Sequence, residues 1–175
     1  MEIKLPIYDW VVKFLNGVLA IVLCAVLDAN FFLSIVRSGL VQELLSKPEL
    51  IVLSVAFAVA YEIGSLFDRL GSLLESFFKK IKFIPFNDDY VRHNRAKAEF
   101  PVMATLQKNY AVSRTQFALF TTFSVAFFVV SNWAIAIVPS LVALVQFFSW
   151  RKFAKKIVDL MNSEDVCSLM AEKSF

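Results

Sequence analysis

The sequence is poor in the residues that build turns, covalent cross-links and metal sites. Four glycines and five prolines in 175 residues leave little turn chemistry for a β-protein. The two cysteines, Cys24 and Cys167, lie far apart, so no disulfide framework or metal-binding spacing follows from them. The single histidine, His93, has no carboxylate or cysteine fixed near it by spacing. Because phosphate-loop and hydrolase motifs are also missing, the sequence predicts neither an enzyme nor a bound cofactor or metal.

Apolar residues are abundant instead. They make up 58% of the chain, which includes 19 phenylalanines and has a mean hydropathy of +0.65, whereas soluble domains contain about 45–50% apolar residues. A bilayer core requires about 20 helical residues, and four stretches approach that length. We therefore predict a single all-α integral membrane domain with spans at about 10–27, 50–67, 115–131 and 134–150.

The last two spans come from one uncharged stretch, Thr115 to Trp150. As one helix it would be roughly 54 Å long, far more than a bilayer requires. Both of its flanks are basic, so a hairpin is predicted, with its turn around Ser131 to Trp133. Pro139 then falls near the start of the second arm, and proline is tolerated in the first turn of a helix.

The placement of lysine and arginine predicts the orientation. With the N-terminus inside, sixteen of the 18 basic residues fall on the inner side, and only Arg37 and Lys47 fall outside. We therefore expect two hairpins in the plasma (inner) membrane, with both termini cytoplasmic. A cleaved signal peptide is disfavoured because the first span has a mixed-charge flank and no A-x-A-like site follows it.

Spans two and four are predicted to continue into the cytosol as basic amphipathic helices. Apolar residues follow each of these spans at i, i+3, i+4 and i+7 spacing, with lysines off that face. The segment 83–114 is the predicted cytosolic helical segment, with a helix start at Asn87, and 151–175 is the tail helix. Spans one and three are expected to be plain lipid-facing helices.

The second span carries most of the candidate functional positions. Glu62 is an acid within an apolar helix, which is costly and suggests a function, although a position near the cytosolic end would lower that cost. A polar stripe runs beside it, and we regard it as either a pore wall or oligomer seam, or an internal packing face. The stripe with Glu62 consists of Ser54, Ala58, Tyr61, Glu62, Ser65 and Asp68. Small residues spaced for close helix packing are Ala56, Ala60 and Gly64.

The predicted cytosolic segment is basic and is the second candidate site. Such clusters can bind anionic lipid head groups, a partner protein, nucleic acid or a nucleotide, but the positive-inside bias alone would also place them there. The residues are Arg92, His93, Arg95, Lys97, Lys108 and Arg114.

One short segment of the second span resembles a known group of proteins. Tyr61-Glu62-Ile63-Gly64 followed by Asp68-Arg69-Leu70, together with two hairpins around a basic middle, resembles small multi-span membrane proteins of bacterial anti-phage defence operons, such as the Kiwa membrane subunit. That resemblance implies a homo-oligomer that senses or disrupts the membrane with a cytosolic partner.

These observations favour a homo-oligomeric membrane protein that forms a pore or membrane-perturbing assembly controlled from the cytosolic side. Membrane lipids and further copies of the chain are its expected partners. The alternative is a non-conducting membrane anchor or scaffold that recruits a soluble cytosolic protein. A small transporter is third, because the spans carry no charged or broken helix at the midplane.

Overall fold

The computed structural model describes residues 7–85, 90–130 and 133–163, and every regular element in these ranges is a helix. The helices are α1 (Ile7–Leu27), α2 (Ala29–Val36), α3 (Gly39–Leu45), α4 (Glu49–Lys80), α5 (Tyr90–Glu99), α6 (Val102–Val129) and α7 (Trp133–Met161). Helices α1, α4, α6 and α7 are long and apolar enough to cross a membrane. The predicted all-helical class with four apolar helices of spanning length is confirmed.

Helix α4 is continuous over 32 residues, through the predicted second span and beyond it. Glu49 in its first turn and Lys79 and Lys80 in its last turn each oppose the partial charge of the helix terminus. Past the end of α4, Lys82 adopts a φ of 56°, which turns the chain away from the helix axis. The predicted helix start at Asn87 lies outside the described residues.

Helix α7 begins at Trp133, so Pro139 lies in its second turn. The sequence interpretation relies on the first turn, where proline is tolerated. Proline has no amide hydrogen to donate to the carbonyl of Ile135, one turn earlier. The next residue, Ser140, donates its hydroxyl to the carbonyl of Ala136 at 2.7 Å. Ser131 and Asn132 of the predicted turn lie outside the described residues.

Helices α1 and α4 pack with their backbones almost in contact. A Cβ atom built on Gly17 would overlap the carbonyl oxygen of Ala60, and one built on Gly64 would overlap the carbonyl oxygen of Lys13. The buried residues of α4 are Ala60, Gly64 and Gly71, all of them small. Small residues allow this approach, which increases van der Waals contact where the hydrophobic effect between helices is weak.

Helix α6 is the most buried of the four long helices, and α4 is the least buried. Helix α6 packs against α1, α4 and α7, and its residues Leu119, Phe123 and Phe127 fill the centre of the bundle. The expectation of a lipid-facing third span is therefore wrong. The physical reason is that lipid and protein interior are equally apolar, so hydrophobic side chains do not reveal which they face.

One end of the bundle extends beyond this apolar centre. We call it the basic end; it comprises residues 68–80 of α4, helix α5, residues 102–117 of α6 and residues 147–161 of α7. Its core is aromatic: Phe147 and Trp150 of α7 pack with Phe78 of α4 and Phe117 of α6. A smaller cluster of Ala96, Met103 and Met161 holds α5 against α6 and α7. The basic end is thus folded around its own buried residues.

The close α1–α4 contact makes a stability prediction. Gly64→Ala should destabilise the protein by about 1–3 kcal/mol, because the new methyl group forces the two backbones apart. Gly39→Ala is the matched control, since a Cβ there meets nothing within 4 Å. Unfolding of the purified protein in mixed detergent micelles at increasing SDS measures both. Equal midpoints for the two variants would contradict the contact.

Candidate functional site: a shared charge network and the outer face of α4

A network of charged side chains joins three helices at the start of the basic end. Arg114 of α6 donates from Nη2 to Asp68 Oδ1 at 2.7 Å and from Nη1 to Glu75 Oε2 at 2.6 Å. Thr115 Oγ1 also reaches Asp68 Oδ1, at 3.0 Å. Lys13 of α1 lies 4.0 Å from the other Asp68 oxygen. Because the side chains of Arg114 and Glu75 are only 15% and 13% exposed, these charge-assisted bonds are protected from water.

The backbone of α4 makes room for this arginine. Asp68 and Glu75 are two helical turns apart, about 10 Å of rise, and Gly71 lies between them. A Cβ on Gly71 would stand 3.2 Å from both the Cγ and the carbonyl oxygen of Arg114. The glycine therefore lets α6 come close enough for one guanidinium to bind both carboxylates. Glu75 also pairs with Lys79 on the next turn.

A half-open cavity of about 230 Å³ lies beside this network in the basic end. Its polar lining consists of Glu75, His93, Gln107 and Tyr110, and the remaining lining is apolar. His93 of α5 and Gln107 of α6 are hydrogen-bonded across it. The carboxylate of Glu75 thus belongs both to the charge network and to the cavity wall, so a molecule in the cavity would contact the network directly.

The opposite side of α4 is not covered by any helix within the described residues. We call it the outer face of α4; it consists of Ser54, Ala58, Glu62 and Leu66, which follow one another at four-residue spacing and are all exposed. Glu62 lies six residues, or about 9 Å of helical rise, from Asp68 toward the apolar part of α4. It takes no part in the charge network, whose members lie on other sides of the helix.

The structure divides the predicted polar stripe between two surroundings. Ser54 and Ala58 are exposed, whereas the ring of Tyr61 packs 5.1 Å from that of Trp10 in α1 and Asp68 is held by Arg114. Ser65 is half-buried. Of the predicted packing residues, Ala60 and Gly64 lie in the α1 contact and Ala56 is exposed. The stripe is therefore not one continuous surface in a single chain.

The predicted basic residues are also dispersed. Arg114 is committed to the internal network, and the ammonium of Lys108 lies over the ring of Tyr8, 5.0 Å from its centre. Arg92 donates to Asn162 at 3.3 Å, and His93 binds Gln107. Lys97 is exposed, and the side chain of Arg95 lies outside the described part of the chain. These six residues do not converge on one anion site.

Three residues that the structure distinguishes, Glu75, Tyr110 and Asn16, were not among the predicted site residues. Glu75 follows Asp68 by seven residues, a spacing that returns to the same helix face and could have indicated a shared cation. Tyr110 precedes Arg114 by four residues and lines the same cavity as Glu75. Asn16 is 3% exposed in the apolar part of α1, and its Nδ2 has no hydrogen-bond partner among the described residues. The single amide side chain within this apolar segment of the sequence could have indicated Asn16.

The chain was compared with known protein families, proteins and structures. A scan against protein-family models and searches of curated proteins and of solved structures returned no match to this chain.

The charge network makes the second prediction. Arg114→Gln should lower the free energy of unfolding by about 3 kcal/mol, because it leaves Asp68 and Glu75 close together without their shared cation. Arg69→Gln is the matched control, since Arg69 is exposed beside the network, and its effect should stay within about 0.5 kcal/mol. Thermal unfolding in one detergent compares them; equal losses would show that Arg114 has no special role.

Proposed function

We propose that this protein is a homo-oligomer that forms a pore or membrane-perturbing assembly through the outer face of α4, controlled from the basic end. The observation that carries the proposal is the exposure of Glu62 in the apolar part of a helix long enough to cross a membrane. In a single chain this acid would face lipid, where an ionisable group is costly. Contact with further copies of the chain, or a water path between them, would remove that cost.

The composition of the outer face supports contacts between copies. Ser54 and Ala58 are small, so neighbouring helices can approach them closely. The centre of the described bundle is filled by Leu119, Phe123 and Phe127, which leaves no polar route through one chain. A water path would therefore have to lie between copies, with α4 as its wall.

Control from the basic end follows from the continuity of α4. Glu62 and Glu75 lie on the same unbroken helix, about 20 Å apart along its axis. A change at the cavity or in the bonds of Arg114 would therefore move the outer face as part of a rigid rod. The proposal includes two hairpins with both termini cytoplasmic, supported by the distribution of lysine and arginine. Its role in anti-phage defence rests on the sequence resemblance alone.

The alternative of a non-conducting scaffold is favoured by a different observation. The basic end has its own small core of Ala96, Met103 and Met161, as a platform for a soluble partner would require. A scaffold needs no contact across Glu62 and no leak through the membrane, so flux separates the two functions.

Flux through reconstituted vesicles tests the pore. Vesicles that contain the protein should release a trapped fluorescent dye or dissipate an ion gradient, and Glu62→Gln should change that rate about tenfold by removing the acid from the water path. Ser65→Leu should also alter the rate. Glu43→Gln is the matched control, because Glu43 lies in α3 and pairs with Lys47. Tight vesicles at high protein density would reject the pore and leave the scaffold.

Cross-linking tests the oligomer independently of conduction. With Cys24 and Cys167 both replaced by serine, Ala58→Cys should give a disulfide-linked dimer in oxidised membranes, because Ala58 lies on the proposed contact face. Leu144→Cys, at an exposed position of α7, is the matched control and should remain monomeric. Equal dimer yields at the two positions would count against a contact through α4.

A further inference from the structure

A second concave surface of the basic end lies next to the cavity lined by Glu75 and shares Pro85 and Val158 with it. It is a groove of about 690 Å³ between the segment that follows α4 and residues 148–159 of α7. Four cationic side chains line it, from Lys82, Arg151, Lys152 and Lys155, together with the carboxylate of Asp159. All five residues are exposed. The groove therefore carries a local excess of positive charge, as an anion site requires.

The position of the groove along α7 matches the surface of a membrane. Arg151 is the first charged residue after the uncharged stretch that begins at Thr115. Phe148, three residues earlier, also lines the groove and is 57% exposed. Within one turn of α7 the lining thus changes from an apolar ring to cations. This lining matches an amphipathic molecule whose anionic head would contact the cations and whose apolar tail would contact the ring.

Arg151 contacts an aromatic ring on the other wall of the groove. Its guanidinium lies over the ring of Phe83, 5.7 Å from the ring centre, a cation–π contact that restricts the side chain and leaves its N–H groups available for hydrogen bonds. The left-handed backbone of Lys82 brings the chain of Phe83 and Pro85 back toward α7. The groove is therefore shaped by the fold, because its two walls come from different elements.

We propose that this groove binds the phosphate of an anionic phospholipid in the adjacent leaflet, with an acyl chain lying along Phe148. Arginine offers two parallel N–H bonds to a phosphate, and the lysines add charge around it. Asp159 at the rim repels a second anion and limits the site to one head group. The lipid would clasp the end of α4 to α7 and so set the position of the basic end at the membrane surface.

Native mass spectrometry of the purified protein in a neutral detergent tests the site. The probes are phosphatidylglycerol and phosphatidylcholine with identical acyl chains, added at graded concentrations. The wild type should retain one phosphatidylglycerol per chain at concentrations where phosphatidylcholine is not retained. Lys152→Gln with Lys155→Gln should weaken that retention about 30-fold, since each basic residue near an anionic surface contributes about a fivefold effect.

Lys97→Gln with Lys156→Gln is the matched control, because it removes the same charge from exposed positions outside the groove and should bind as the wild type does. Circular dichroism and the elution volume confirm that both double variants are folded. Equal retention of the two lipids, or equal losses in the two double variants, would overturn the proposal. Displacement by millimolar inorganic phosphate would also overturn it, since the site would then take a free anion and not a lipid.

Discussion

The binding of one guanidinium to two carboxylates is the interaction on which the arrangement of the long helices depends. Arg114 of α6 holds Asp68 and Glu75 of α4, and these two helices form the main link between the α1–α4 pair and the α6–α7 pair. The ions are only partly exposed, so each carboxylate that lost its partner would keep its desolvation cost. Any arrangement that separates Arg114 from both carboxylates therefore leaves their desolvation uncompensated, which favours the observed arrangement.

Three small residues of α4 decide which sides of that helix are covered. Ala60 and Gly64 admit the backbone of α1, and Gly71 admits α6 beside Arg114. Because spacings of four and seven residues return to the same side of a helix, these contacts use one side of α4, and Glu62, two residues from both Ala60 and Gly64, lies on the opposite side. The exposure of that acid is thus a consequence of where the small residues stand. The proposed contact between copies and the internal packing of one chain therefore use different sides of the same helix.

The sequence allowed the helical class and the number of long apolar helices to be predicted, because length and hydropathy are local properties of each segment. It did not reveal that α6 is central, since Phe123 would look the same against lipid as against protein. The number of positive charges in a segment does not distinguish Arg114 from other basic residues, because its partners lie 39 and 46 residues earlier in the chain. The beginning of α7 was predicted to within one residue, at 134 against Trp133, and Pro139 lies in the second turn in either case.

The separation of these partners along the chain has a consequence for synthesis. Chains emerge from the ribosome at about 5–20 residues per second, so Glu75 precedes Arg114 by about 2–8 s. During that interval the α1–α4 pair has Lys13 and Lys79 near its acids but lacks the arginine that binds both. Docking of the α1–α4 pair onto α6 must therefore wait for the third long helix. Synthesis of Arg114 thus sets the earliest moment at which α4 and α6 can form their shared ion pairs.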